Sequence, residues 1–210
     1  MTFLEIIHLR SIHQQPSMPN PLDCRLILAS KSPRRSQLLE QAGFRFEVRT
    51  QDVGEEYEAT TPVLEISEML AVRKARAAKH YLSEGDVILA ADSLVIHDGE
   101  IFEKPTDAED ARRMLRRLSD SVHTVTTGVC LLSAVDERQF TGTAMVYCSK
   151  VTDAEIDFYL EKYQPYDKAG AYGIQEWFGL CKIHRIEGTY PSVMGLPTDL
   201  VYSNLAQMAW

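Results

Sequence analysis

Residues 25–44, "RLILASKSPRRSQLLEQAGF", decide the architecture. RLILA is a short apolar run suited to a buried strand. Ser32 has N-cap chemistry, and Pro33 stands at the first helical position, where its missing N–H does no harm. Leu38, Leu39 and Ala42 supply an inner helix face, and Gly43 ends the helix. FRFEV (44–48) then alternates as a half-buried strand does. Strand, helix and strand in this order predict an α/β fold.

The corner between strand and helix holds Ser30, Lys31, Ser32, Arg34 and Arg35. Free backbone N–H groups and the helix dipole favour an anion there. The serines add hydroxyl donors and the arginines add charged forks. No GxxxxGK[ST] pattern is present, so this is not a Walker-type loop. On corner chemistry alone, a capped surface helix with solvated arginines explains the same residues equally well.

The rest of the chain sets the frame. It has 210 residues, 45% of them hydrophobic, enough for one large domain or two lobes sharing a core. A formal charge of −8 disfavours a general nucleic-acid or anionic-membrane surface while allowing a local basic pocket. Cys24, Cys130, Cys148 and Cys181 form no metal spacing and fit a reducing, cytoplasmic setting. No apolar run has the length of a membrane span. Residues 1–23 lack a signal-peptide pattern and read as a loose extension, with Met18 a possible functional start. A chain begun at Met18 is expected to fold and work normally. Residues 24–210 read as one domain.

Further along, Pro62 opens a helix to about Leu82. DVILA (86–90) is a buried strand ending at Ala91-Asp92-Ser93, and Asp98-Gly99 suits a hairpin turn. Thr106 with Glu109 has capping-box spacing, as does Thr152 with Glu155. Strands are expected near 122–132, 140–149 and 180–186, and a last helix after Pro197. Asp92, placed just past a strand, can bind a metal or take a proton; a turn cap is the plain alternative. Lys104 follows the hairpin. YDKAGAYGIQ (166–175) adds Asp167, Lys168 and close glycines that let backbone approach a ligand, or simply make a tight turn. Lys74 reads as a solvated helix position.

Taken together, LILASKSPRR (26–35), LAVRKARA (70–77), AADSLV (90–95), EKP (103–105), DKAGAYGIQ (167–175) and SVMGLP (192–197) resemble the successive motifs of the Maf family of nucleoside triphosphate pyrophosphatases. The resemblance runs in order from about residue 25 to 200. It implies an α/β fold, ITPase-like, with a mixed twisted sheet flanked by helices and two lobes around a deep cleft. It implies hydrolysis of a nucleoside triphosphate to monophosphate and pyrophosphate with a divalent metal, usually Mg²⁺, and a homodimer. The subgroup it resembles acts on dTTP and UTP. The proton acceptor falls on Asp92, and the selectivity positions fall on Arg34, Ser93 and Gln175.

Two positions depart from the family pattern. Ser93 replaces the usual Thr, losing a methyl but keeping the hydroxyl. Gly54 stands where an acidic residue is expected, with Asp52, Glu55 and Glu56 beside it. Glu55, with Asp92, is the candidate metal ligand. Arg35, Lys74 and Lys104 are candidates to neutralise triphosphate charge, and Ser30 and Ser32 to hold its oxygens. The Gln175 carboxamide offers one donor and one acceptor, matching the edge of uracil or thymine. The same reaction on purine or modified nucleotides, and a nucleotide-binding regulator with little turnover, are the competing readings.

Overall fold

A computed structural model describes residues 20–210, so the expectation for residues 1–17 and Met18 lies outside it. The elements run β1 (Arg25–Leu28), α1 (Pro33–Gln41), β2 (Phe46–Val48), α2 (Val63–Ala77), β3 (Asp86–His97), β4 (Glu100–Phe102) and α3 (Ala108–Leu118). They continue with β5 (Val122–Leu132), β6 (Glu137–Cys148), α4 (Asp153–Tyr163), α5 (Trp177–Lys182), β7 (Ile183–Glu187), α6 (Tyr190–Met194) and α7 (Thr198–Leu205). Pro21–Asp23 forms a 3-10 turn ahead of β1.

The strands form one mixed sheet in the order β2-β1-β3-β5-β6-β7, with β4 also on β3. β1 runs parallel to β2 and β3, and the other pairings are antiparallel. Leu26–Leu28 of β1 and Val87–Ala91 of β3 are apolar runs because both sheet faces are covered there. Ile27, Ile88 and Ala90 pack under Ala71, Ala75 and Ala78 at the α2 side. Leu26, Leu28, Val87 and Leu89 join the larger core on the opposite face.

The pairing of β3 creates the functional opening. β1 pairs with β3 only as far as Leu28 with Leu89. β4 takes up the same edge from Val95 onward. Residues 90–94 therefore pair with β5 alone, and their other edge lies in a break between β1 and β4. Asp92 was expected past the end of a strand. It lies instead in the middle of one, because β5 carries β3 on to His97 after β1 has stopped.

Other boundaries shift for local reasons. α2 stops at Ala77, not near Leu82, because the Ala78 N–H is shared between the Lys74 and Ala75 carbonyls, tightening the chain into a 3-10 turn. The α3 cap is Asp107, not Thr106. Its carboxylate accepts from Asp110 N at 2.8 Å, while Asp110 reaches back to Thr106 N at 3.1 Å, and negative charge suits that helix end. Thr152 and Glu155 do form the expected capping box. The strand expected near 180–186 begins only at Ile183, because residues 180–182 belong to the helix α5. Gly179 permits this: a Cβ there would meet the Ile174 carbonyl oxygen at 1.9 Å. The short α6 was not anticipated.

One buried polar pair lies beneath the cleft. His123 Nε2 and the Tyr172 hydroxyl are 2.8 Å apart, and burial, with help from His97, pushes the His123 pKa down to about 3. The unfolded chain binds a proton on this residue below about pH 6.5. The native protein binds it only near pH 3. Protonation thus favours the unfolded state, and this contribution falls as pH drops through that window. Urea-unfolding free energies of wild type should show a one-proton slope there that His123→Gln lacks. Equal slopes would show that His123 charges without unfolding.

Candidate active site

The break in the sheet opens into a cleft of about 950 Å³, and all ten candidate residues of the sequence reading line it. The β1–α1 corner and the acidic loop form one side; β4–α3 and the 167–175 loop form the other.

Strand periodicity sends Asp92 and Ser93 to opposite faces of the sheet. Asp92 shares the α2 face with Ala90 and Leu94. It pairs with Gly128, where a Cβ would meet α2 backbone atoms of Ser67 and Glu68 at 2.2–2.3 Å. Only glycine lets the helix lie this close. The approach brings Lys74 inward: its Nζ donates to Asp92 Oδ1 at 2.5 Å and to Glu55 Oε1 at 2.6 Å. Lys74 is thus not a solvated helix residue; its side chain is 18% exposed and that of Asp92 12%. The Lys74 hydrogen bond, opposed by burial, holds the Glu55 carboxyl below its usual range. Arg73 fastens the same loop through the Gly54 and Glu56 carbonyls, at 2.7 and 2.8 Å.

At the corner, Ser32 occupies the N-cap position but its hydroxyl makes no cap bond. Its N–H donates to Ser30 Oγ at 3.2 Å, and Arg35 Nη1 donates to the same oxygen at 3.0 Å. Ser30 Oγ accepts twice, which leaves its own proton to donate. Arg35 is a hub: Nε donates to Gly195 O at 2.8 Å and Nη2 to Ser93 Oγ at 3.1 Å. Burial lowers its pKa while Asp92 acts to raise it. Three of the five guanidinium N–H groups are committed, leaving one on each terminal nitrogen.

Arg34 points along the opposite wall and donates to Asp167 Oδ2 at 3.0 Å. Burial works against the Asp167 charge, but hydrogen bonds from Lys168 and Arg34 hold its carboxyl low. Lys168 also reaches Glu176 Oε1 at 3.1 Å, and the Tyr159 hydroxyl donates to Glu176 Oε2. This alternating chain braces the loop that presents Gln175. The Gln175 Oε1 atom is buried with no hydrogen-bond partner among the described residues. Lys104 is exposed on the rim, close enough for its charge to act on Glu55.

Sequence reading missed Glu176, Tyr159, Thr127 and the Gly195 carbonyl. Glu176 and Tyr159 are ordinary helix-boundary and helix residues in sequence, and a carbonyl leaves no trace there. Lys74 did carry a signal. It falls at the helical spacing of the buried Ser67, Leu70 and Ala71, so it belongs to the inner face of α2.

The family described as Maf-like protein matches residues 25–208. A Porphyromonas gingivalis protein named dTTP/UTP pyrophosphatase is 44% identical over 184 residues, 86% of this chain and 92% of its own. A Phocaeicola vulgatus protein of the same name is 41% identical, covering 88% of this chain and 96% of its own. Among solved structures, the Staphylococcus aureus Ham1 protein aligns with 59% of this chain and 71% of its own at 15% identity, with a TM-score of 0.41, too remote to add to the argument. The cleft draws residues from each of the six motifs, and the matched span runs from β1 past the end of α7: the chain belongs to the Maf family.

Proposed function

We propose that the protein hydrolyses dTTP and UTP to the monophosphate and pyrophosphate, as the names of its relatives say of them. The observation that carries this reading is the convergence in one cleft of three chemistries. These are the Ser30–Ser32–Arg35 anion corner, a carboxylate–ammonium pair at Asp92 and Lys74, and the unpartnered oxygen of Gln175.

Asp92 is the proton acceptor for the attacking water in this reading. Lys74 engages Oδ1, and Oδ2 is the oxygen that takes the proton. Arg35, Lys104, Ser30 and Ser32 hold the triphosphate. Arg34 and Gln175 line the nucleoside end. Ser93 keeps its family position, although its bonds run to protein groups.

The donor set fits a divalent cation. Glu55 and Asp92 present hard carboxylate oxygens around one ammonium, at 2.6 and 2.5 Å. Among the described residues no group of three or more Asp, Glu, His or Cys forms a cation site, so Glu55 and Asp92 are the residues that would hold the cation together with the substrate. A divalent cation such as Mg²⁺ held there would supply charge neutralisation at phosphate and a lowered water pKa. The same reading includes a homodimer, a cytoplasmic setting, and residues 24–210 as the catalytic unit behind an extension. No described helix is long and apolar enough to cross a membrane.

Pyrophosphate release from a panel of nucleotides tests the reading; wild type should favour UTP and dTTP over GTP. Gln175→Glu should lower kcat/KM for both pyrimidines tenfold or more. The carboxylate faces O4 with no donor, and an unpaired buried polar group costs about 1–3 kcal/mol. Guanine presents two donors and should lose less. An unchanged UTP-to-GTP ratio would remove Gln175 from base recognition.

A further inference from the structure

SVMGLP (192–197) is the one motif to which no function has been assigned. Its Val193, Met194 and Gly195 line the cleft, and two of its carbonyls take side-chain hydrogen bonds. Gly195 O accepts from Arg35 Nε at 2.8 Å, and Ser192 O accepts from Thr127 Oγ1 at 2.9 Å. Thr127 is wholly buried on β5 and sits directly across from Ser93, with the two hydroxyl oxygens 2.9 Å apart.

The proton directions follow from the partners. A guanidinium only donates and a carbonyl only accepts. Arg35 Nη2 therefore donates to Ser93 Oγ, and the Thr127 proton goes to Ser192 O. Ser93 then has one course left, to donate to Thr127 Oγ1. The series is Arg35, Ser93, Thr127, Ser192 O, and the backbone from 192 to 195 returns it to Arg35 through Gly195 O. The ring is closed and every bond in it has a fixed sense.

The ring depends on SVMGLP lying against β6. Gly142 makes room: a Cβ there would meet Pro197 Cβ at 2.7 Å and Ser192 Oγ at 2.8 Å. Gly195 lies beside Ser93 and Arg35, with a backbone φ of 121° that side chains rarely adopt.

We propose that Thr127 and Ser93 are positioning residues that aim the Arg35 guanidinium at the triphosphate, acting through the closed ring and not by touching the base. A single acceptor leaves a guanidinium free to rotate about its last bonds. Acceptors on Nε, Nη1 and Nη2 fix its plane, and the hydroxyl pair supplies the Nη2 acceptor. Loss of the methyl at Ser93 leaves this function intact, because only the hydroxyl takes part.

This rests on the phosphate role given to Arg35, so the test reads phosphate binding without turnover. Inorganic tripolyphosphate is titrated calorimetrically into wild type, Ser93→Ala, Thr127→Val, the double variant and Thr127→Ser. Each of the first three variants is expected to bind about tenfold more weakly than wild type. The double is expected to match the singles, since either change breaks the same ring. Thr127→Ser restores the hydroxyl and should restore affinity. Activity is read alongside: kcat/KM for UTP and GTP should fall together, leaving their ratio unchanged. Binding within twofold of wild type in either single variant, additive losses, or no recovery in Thr127→Ser overturns the ring. A shifted UTP-to-GTP ratio overturns it too, placing Ser93 in base selection. If Thr127→Val does not fold, Ser93→Ala with Ser93→Thr as its rescue carries the same test. Wild type that binds tripolyphosphate but releases no pyrophosphate from any nucleotide refutes the proposed reaction and leaves the ring standing.

Discussion

Asp92→Asn is expected to lower kcat on UTP and dTTP by about 10²–10⁴, the usual cost of losing a general base. Nucleotide affinity should stay close to wild type. The replacement keeps shape: an amide oxygen can still accept from Lys74 as Oδ1 does at 2.5 Å. What it loses is the second carboxylate oxygen's capacity to take a proton. Removing the negative charge leaves Lys74 with Glu55 alone and one carboxylate fewer for the cation, two opposed effects on phosphate that saturating Mg²⁺ balances. The loss should therefore appear in kcat with little change in binding. Single-turnover rates at saturating Mg²⁺, with nucleotide affinity measured separately, decide it. Near wild-type turnover would take the base role from Asp92.

The residue type and the strand at Asp92 were both legible in sequence; its setting was not. DVILA announces a buried strand, but the continuation to His97 depends on β5, whose partners Leu132 to Thr124 for Ile88 to Ile96 lie far along the chain. Local sequence carries no record of that register. The same register puts Ser93 opposite Thr127, so the hydroxyl pair was invisible until the strands were aligned. Asp107 displaced Thr106 as the helix cap because two overlapping spacings competed, and the charged pair suits the helix N-terminus better. The corner was more readable. Ser30, Arg34 and Arg35 are close in sequence and stay close in space. Yet the sequence could not show that Arg34 and Arg35 diverge, one to Asp167 and the other to Gly195 and two hydroxyls.

That divergence sets the second large effect. Arg35→Ala is expected to weaken UTP binding about a hundredfold while uridine binds almost as before. A hydrogen bond to a charged group contributes roughly 1.5–3 kcal/mol. Two remaining N–H groups, taken at the low end, give about 3 kcal/mol, or about a hundredfold. The substitution also strips Ser30 Oγ, Ser93 Oγ and Gly195 O of a common donor, so some loss of melting temperature is expected. Arg35→Lys separates charge from geometry. A lysine restores the positive charge beside Asp92 but has no planar fork to satisfy three acceptors in fixed directions. It should recover stability better than it recovers UTP affinity. Arg34→Ala provides the contrast, because Arg34 pairs with Asp167 on the wall that carries Gln175. Its loss should fall on uridine and UTP alike. Calorimetric titration of uridine, UMP and UTP into the three variants gives the comparison. A parallel loss for uridine and UTP in Arg35→Ala would mean the site had collapsed. Full recovery by Arg35→Lys would mean that charge alone matters at the corner and that the three fixed acceptors do not aim it.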